Sequence, residues 1–344
     1  MGIGMGAAAA VIRPTAASAQ ALTVPPRISR TGRFSRMFDL PPFAEASPQI
    51  EHALMELGVS GGLMDAKDPL QEGPVRLITN AELDPTNLDN LSLTAGTTFL
   101  GQFLDHDMTF DGTSKLGVPT RPEQSINTRT PAFDLDSVYG GGPTTTPLLY
   151  DSNDRAKFKV ESGGLFEDLP RRTDGTAIIA DPRNDENLMI AGLQCAFLLF
   201  HNRVVDRLRA DGGDFRFPPF DGYRLLVDAQ PPRPSRVFEE ARRLVTWHYQ
   251  RIILHEFLPK IIGQRLVTDI FTNGRRYYVA RPGKQTIPVE FQAAAYRFGH
   301  SMVRPSYRAN LAGDLGQPFF GFIFDPAGEG QADPVDLRGG ARAL

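Results

Sequence analysis

Apolar and polar positions alternate with a helical period in several segments, separated by long stretches that have no period at all. SPQIEHALMEL predicts a first helix over residues 48–57, with Ser47 as N-cap and Pro48 in the first turn, where its missing N–H costs nothing. A second helix starts near Leu93 and carries TAGTTFLGQFLDHDM, apolar at three- and four-residue spacing. Residues 111–180 are crowded with Gly, Pro, Asp and Thr and read as loop. A strong helix follows over 187–210, closed by Gly212 and Gly213. Another spans 234–262, with Glu239 and Glu240 near its positive end and Pro259 near its close. PVEFQAAAYRFGHSMV predicts one more, ended by Pro305. No segment alternates convincingly as a strand, and no repeat is visible. The fold class implied is mainly α, with long connecting loops and little β.

Residues 1–40 read as a leader and irregular arm, and 41–344 as one domain. The alanine-rich start fits either a cleaved export signal, and so a secreted protein, or a low-complexity leader. Arg13 and Pro14 interrupt its apolar run and no basic stretch precedes it, so localisation stays open. The last twenty residues, 325–344, are polar and glycine-rich.

Composition narrows the partners. The chain has 344 residues, 41% hydrophobic and 22% charged, enough for a large core. A net charge of −3 gives no general pull toward nucleic acid or an anionic membrane. No window reaches the roughly 18 uninterrupted apolar residues of a spanning segment, so no transmembrane segment is expected. The single cysteine, Cys195, lies in an apolar run and reads as a small core residue.

Six histidines are present: His52, His106, His201, His248, His255 and His300. In GQFLDHDMTFD, Gln102 and His106 are four apart and share a helix face. An amide beside an imidazole suits a pocket that holds water or peroxide and moves a proton. Asp105 and Asp107 point to other faces. Phe99, Leu100, Phe103 and Leu104 make the segment apolar enough to pack, and carboxylates buried there need a metal, a cofactor or an arginine. In DPRNDEN, Arg183 and Glu186 form either a local ion pair or a functional pair, with Arg183 beside His106 to stabilise charge as an O–O bond breaks. In AAAYRFGHSMV, three alanines let the helix lie against something flat, Gly299 clears space beside His300, and Arg297 is one turn earlier. That environment suits an axial haem ligand. His201 reads as structural, His248 and His255 as members of a packed helix, and His52 as solvated.

Together GQFLDHDMTFD, the stretch from Arg183 through FHNRVVDRL, and AAAYRFGHSMV resemble the animal-type haem peroxidases, in their bacterial branch, over roughly residues 30–325. The resemblance implies that His106, Gln102 and Arg183 are catalytic on the distal side of a haem b. It makes His300 the axial iron ligand, with Arg297 near the haem propionates or edge. Asp105 and Glu186 match positions that form ester links to haem methyl groups in some members; Asn187 stands where one member has a haem-bonded methionine, so that third link is absent. Asp107 matches a calcium ligand, and TRTPAFDLDSVYG matches the family's calcium loop, giving Thr130, the Ala132 carbonyl, Asp134 and Asp136 as further ligands. Asp136 stands at a position that is often serine, which adds negative charge.

The activity implied is reduction of hydrogen peroxide, a response to oxidative stress, with oxidation of a halide or small organic donor through a ferryl haem. A haem fatty-acid dioxygenase of the same superfamily is the alternative, with Tyr296 as the oxidisable tyrosine. The chain stops 44 residues after His300, before helices that in the family supply an asparagine to the proximal histidine. A truncated, non-catalytic peroxidase-like protein is therefore a further alternative.

Overall fold

The computed structural model describes residues 32–310 and 319–321, apart from 33, 39, 42, 84, 86–87, 89, 116–117, 119, 122–123, 163–166, 211–235, 279–284 and 305–306. The expectations for the leader up to residue 31, for the closing glycines 212 and 213 and for the polar tail lie outside these residues.

The chain is mainly helical. Helix α1 (Pro48–Gly58) begins as expected, the Ser47 hydroxyl accepting from the Ile50 N–H at 3.3 Å. Helix α2 (Pro74–Thr79) is short, and α3 (Ala95–Met108) carries the His106 motif. Two single turns follow, α4 (Asp136–Tyr139) and α5 (Gly142–Thr145). The long α6 (Leu188–Ala210) packs against α7 (Arg236–Ile252) and α3.

The core forms where α3, α6 and α7 meet. Phe103 of α3 stacks on Phe197 of α6 at 5.1 Å and meets Tyr249 of α7 edge-on. Phe103 and Tyr249 are fully buried, and burying a ring of that size contributes about 2–3 kcal/mol. A second aromatic group, Tyr139, Tyr150, Phe158 and Phe238, encloses His201. Helix α6 is long and apolar enough by length and composition to cross a membrane, but half of that window is buried inside the fold, with Gln194 and His201 among its buried residues.

Two helices differ from the sequence pattern. The expected helix over 234–262 changes pitch at Ile253–Phe257, where the Leu258 N–H reaches back five residues to the Ile253 carbonyl. Pro259 follows in α8 (Leu258–Ile262) and has no N–H to give, so a wider turn carries the chain past it. Helix α9 (Gln264–Asn273) comes next. The helix expected over PVEFQAAAYRFGHSMV is split into α10 (Val289–Ala293) and a tighter 3-10 stretch, Ala295–Met302. The break is at Ala294, whose φ of −126° and ψ of −71° are not helical. Alanine propensity favours continuing the helix. The tertiary tie that prevails is the Tyr296 hydroxyl, which donates to the Gly101 carbonyl on α3 at 2.8 Å.

Strands β1 (Tyr307–Asn310) and β2 (Phe319–Gly321) pair antiparallel, a small sheet that the sequence pattern does not reveal. Phe34 and Ser35, within the expected arm, are tied to the fold: the Ser35 N–H donates to the Ile287 carbonyl, and the Met37 N–H to Glu290.

Candidate active site

Three segments distant in sequence line one cavity of about 680 Å³. Helix α3 contributes Gln102, Asp105 and His106; the turn before α6 contributes Arg183 and Glu186; the 3-10 stretch contributes Tyr296, Arg297 and His300. All seven residues expected around the haem, Gln102, Asp105, His106, Arg183, Glu186, Arg297 and His300, therefore reach one space. Its size falls within the usual range for cofactor sites, and Phe99, Phe257 and Phe298 supply an apolar wall, so the residues present fit a flat macrocycle.

His106 is buried, and burial together with the Arg183 charge pulls its pKa down to about 4, so its imidazole is neutral near pH 7. Its Nδ1 lies 2.8 Å from Asn184 Oδ1, and its Nε2 lies 3.8 Å from a Glu186 oxygen. Gln102 donates to that same Glu186 oxygen at 3.0 Å. His300 is exposed, and its imidazole makes no hydrogen bond among the described residues. Arg297 is exposed too, its Nε donating to the Gln292 carbonyl at 3.1 Å.

The segment DPRNDEN uses nearly every polar side chain. Asp181 is fully buried between two arginines, accepting from Arg183 Nε at 3.0 Å, Arg183 Nη2 at 2.8 Å and Arg129 Nε at 3.0 Å. Those cations hold its pKa down to about 2 against the burial that raises it. Arg183 also donates to the His106 and Thr109 carbonyls at 3.0 and 2.7 Å, which pins its guanidinium over the Phe110 ring. Asn184 donates to Gln194 Oε1 at 2.8 Å, Asp185 pairs with the buried Arg171, and the Asn187 side chain accepts the Ile190 N–H.

Asp107 turns away from the cavity into a second cluster. Oxygens of Asp107, Asp134 and Asp136 all lie within 4.8 Å of one another. Leu135, at φ 58°, is held left-handed between the last two, and its N–H donates to Asp107 at 3.2 Å. That conformation is strained for a branched residue and persists because the surrounding bonds enforce it. The Thr130 hydroxyl donates to Asp134 at 2.8 Å, while Ala132 is exposed on the same loop. Burial and mutual repulsion raise the pKa of Asp107 well above the usual range and that of Asp136 to about 7. Asp136 Oδ1 and the Tyr249 hydroxyl are buried with no hydrogen-bond partner among the described residues. An all-oxygen set with surplus negative charge suits a hard divalent cation.

The remaining histidines sit elsewhere. His201 is buried, its Nε2 donating to the Ala156 carbonyl at 2.9 Å while its Nδ1 accepts from Tyr139. His248 is exposed and donates to the Leu244 carbonyl, His255 stacks on Phe271, and His52 pairs with Glu56 at the surface. Arg129, Asp181, Asn184, Gln194 and Tyr249 also support the two clusters, and the sequence pattern assigns none of them a role. The one signal for Gln194 was a lone amide inside an apolar run; Arg129 and Tyr249 carried none.

Over 240 residues the chain is 28% identical to Probable oxidoreductase PXDNL of Homo sapiens, covering 63% of this chain and 15% of that protein. It is 36% identical over 191 residues to the Chorion peroxidase of Aedes aegypti, covering 51% of this chain and 22% of that one. Among solved structures, Peroxidase A from Dictyostelium discoideum is similar with a TM-score of 0.48 and 18% identity, covering 76% of this chain and 57% of that one. The chain thus spans about one-seventh to one-fifth of the length of these curated relatives. The sequence profile of the animal haem peroxidases matches residues 111–317, more than half the chain, and the chain belongs to that family.

Proposed function

We propose that this chain is a haem-dependent peroxidase that reduces hydrogen peroxide to water and oxidises a halide or a small organic donor. The observation that carries the reading is the neutral, buried His106 in a cavity that His300 also lines. His300 would ligate the iron, Arg297 would face the haem edge, and Asp105 and Glu186, which line the cavity, would form ester links to it. Haem, when bound, supplies the two electrons that reductive O–O cleavage needs. His106 takes a proton from the peroxide at Nε2 and returns it to the departing oxygen, which leaves as water. Arg183, held by Asp181, stabilises the negative charge that develops. Gln102 orders the peroxide through its amide. Asp107, Asp134 and Asp136, with Thr130 and the Ala132 carbonyl, would bind Ca²⁺ and hold the end of α3 against the loop.

The oxygenase alternative rests on Tyr296, which lines the cavity. Its hydroxyl donates to a backbone carbonyl, a neutral acceptor that cannot take up a phenolic proton, so the contact works as a clamp between the His300 segment and α3. Comparing guaiacol oxidation with oxygen uptake on a polyunsaturated fatty acid separates the two activities.

The test is haem titration followed by peroxide mixing. The wild type gives a Soret band, and His300→Ala weakens it. His106→Ala keeps the band but loses about 10²–10⁴-fold in peroxide reaction rate. No Soret band in the wild type, or an unchanged rate in His106→Ala, overturns the reading.

A further inference from the structure

His106 can act as a base toward the cavity only if the proton of its neutral ring sits on the far nitrogen. Solution chemistry does not set this, because neutral imidazole exists as both tautomers and the protein must choose. Two buried amides stand behind the ring. Asn184 Oδ1 lies 2.8 Å from His106 Nδ1, and Asn184 Nδ2 donates to Gln194 Oε1 at 2.8 Å. Asn184 and Gln194 are as buried as His106, so water does not compete for these bonds. We propose that Asn184 and Gln194 are positioning residues that fix His106 as the Nδ1–H tautomer and so leave its Nε2 lone pair facing the cavity.

An amide oxygen can only accept, so the atom 2.8 Å away must be an N–H. The Asn184 NH₂ group is engaged by the Gln194 oxygen, so its own oxygen faces the ring. The charged groups around the ring are Asp105 of α3 and Asp181, Arg183 and Glu186 of the turn before α6. Of these, Glu186 alone would draw a proton onto Nε2. It is 3.8 Å away, beyond hydrogen-bond range, and Gln102 already occupies its nearer oxygen. The 2.8 Å contact outweighs the 3.8 Å one. The link also explains two polar residues that are otherwise costly in the core, because a buried amide without a partner gives up its hydrogen bonds to water and gains none.

This inference rests on the proposed role of His106, yet it can be tested without haem. The full chain, labelled with ¹⁵N-histidine, is observed by long-range ¹H–¹⁵N correlation near neutral pH, and the His106 signals are assigned by their loss in His106→Gln. The wild type is expected to show a protonated Nδ1 and a bare Nε2. Asn184→Leu moves the proton to Nε2, and Gln194→Leu gives a partial version of the same change. Asn184→Asp keeps an acceptor at the same place and retains the Nδ1–H form, so the tautomer tracks the acceptor rather than the bulk of the side chain. In the haem-loaded chain Asn184→Leu loses about 10- to 100-fold in peroxide rate with an unchanged Soret band. A wild-type Nε2–H tautomer overturns the proposal, as does a His106 spectrum that is the same in Asn184→Leu. Should Asn184→Leu fail to fold, Gln194→Leu decides, and a His106 spectrum unchanged in it counts against the proposal. If the tautomer follows Asn184 while His106 variants react normally with peroxide, this inference stands and the peroxidase reading falls.

Discussion

Replacing Asp181 by asparagine keeps the shape of the side chain and removes its charge. In the structure that carboxylate is fully buried and accepts from both Arg129 and Arg183, five N–H groups in all, counting the Arg183 backbone N–H and a close Arg129 Nη2 contact. After the substitution one oxygen remains to accept, and an NH₂ group faces a guanidinium. Arg129 keeps its ion pair with Asp136, 3.9 Å away. Breaking a buried pair by removing one partner costs about 3–5 kcal/mol, because the remaining charges stay desolvated. Urea unfolding followed by circular dichroism measures the loss, expected as a lower midpoint with an unchanged slope. A double-mutant cycle with Arg129→Met separates charge from packing: removing Arg129 as well relieves part of the penalty, so the two losses are not additive. A loss under about 1 kcal/mol, or strict additivity, would refute the buried-ion argument. The pH dependence has a defined sign. The folded pKa of Asp181, about 2, lies below that of an unfolded aspartate near 4. Its contribution is therefore present above about pH 4 and lost as the pH falls toward about 2, and the Asp181→Asn variant lacks that loss.

Three further outcomes are expected. If Asp107, Asp134 and Asp136 bind Ca²⁺, the ion at about 100-fold over its Kd stabilises the chain by about 2.7 kcal/mol; calorimetry with and without a chelator reads this, and an equal gain in Asp107→Ala would contradict the site. His106 has a folded pKa of about 4, below its unfolded value near 6.5, so the unfolded state binds the extra proton. Stability then falls by up to about 3 kcal/mol as the pH drops from about 6.5 to about 4, a component missing in His106→Gln, and parallel curves for the two proteins would sink the assignment. Tyr296→Phe loses the bond to Gly101, about 1 kcal/mol, and keeps guaiacol oxidation; abolished turnover with haem still bound would instead make the tyrosine a redox participant.

Local features were legible wherever a short-range rule decides them. The Ser47 cap, the start of α3 and the long α6 follow from capping chemistry and a 3.6-residue period, which need only neighbours in sequence. Helical spacing puts Gln102 and His106 on one face and turns Asp107 to another, whereas Arg183, Glu186, Arg297 and His300 are expected at the same cavity through the family resemblance. Tertiary structure decided the rest. The split at Ala294 comes from a hydroxyl on Tyr296 finding a carbonyl 195 residues earlier, and no local pattern encodes that partner. The pairings Arg129 with Asp181, Asn184 with His106, and Tyr249 near Asp107 join residues 52, 78 and more than 140 positions apart. Sequence determined which groups were available to the site. Burial and long-range pairing determined their charge and, on our reading, the nitrogen of His106 that carries the proton, because desolvation and hydrogen-bond geometry exist only once distant segments are packed together.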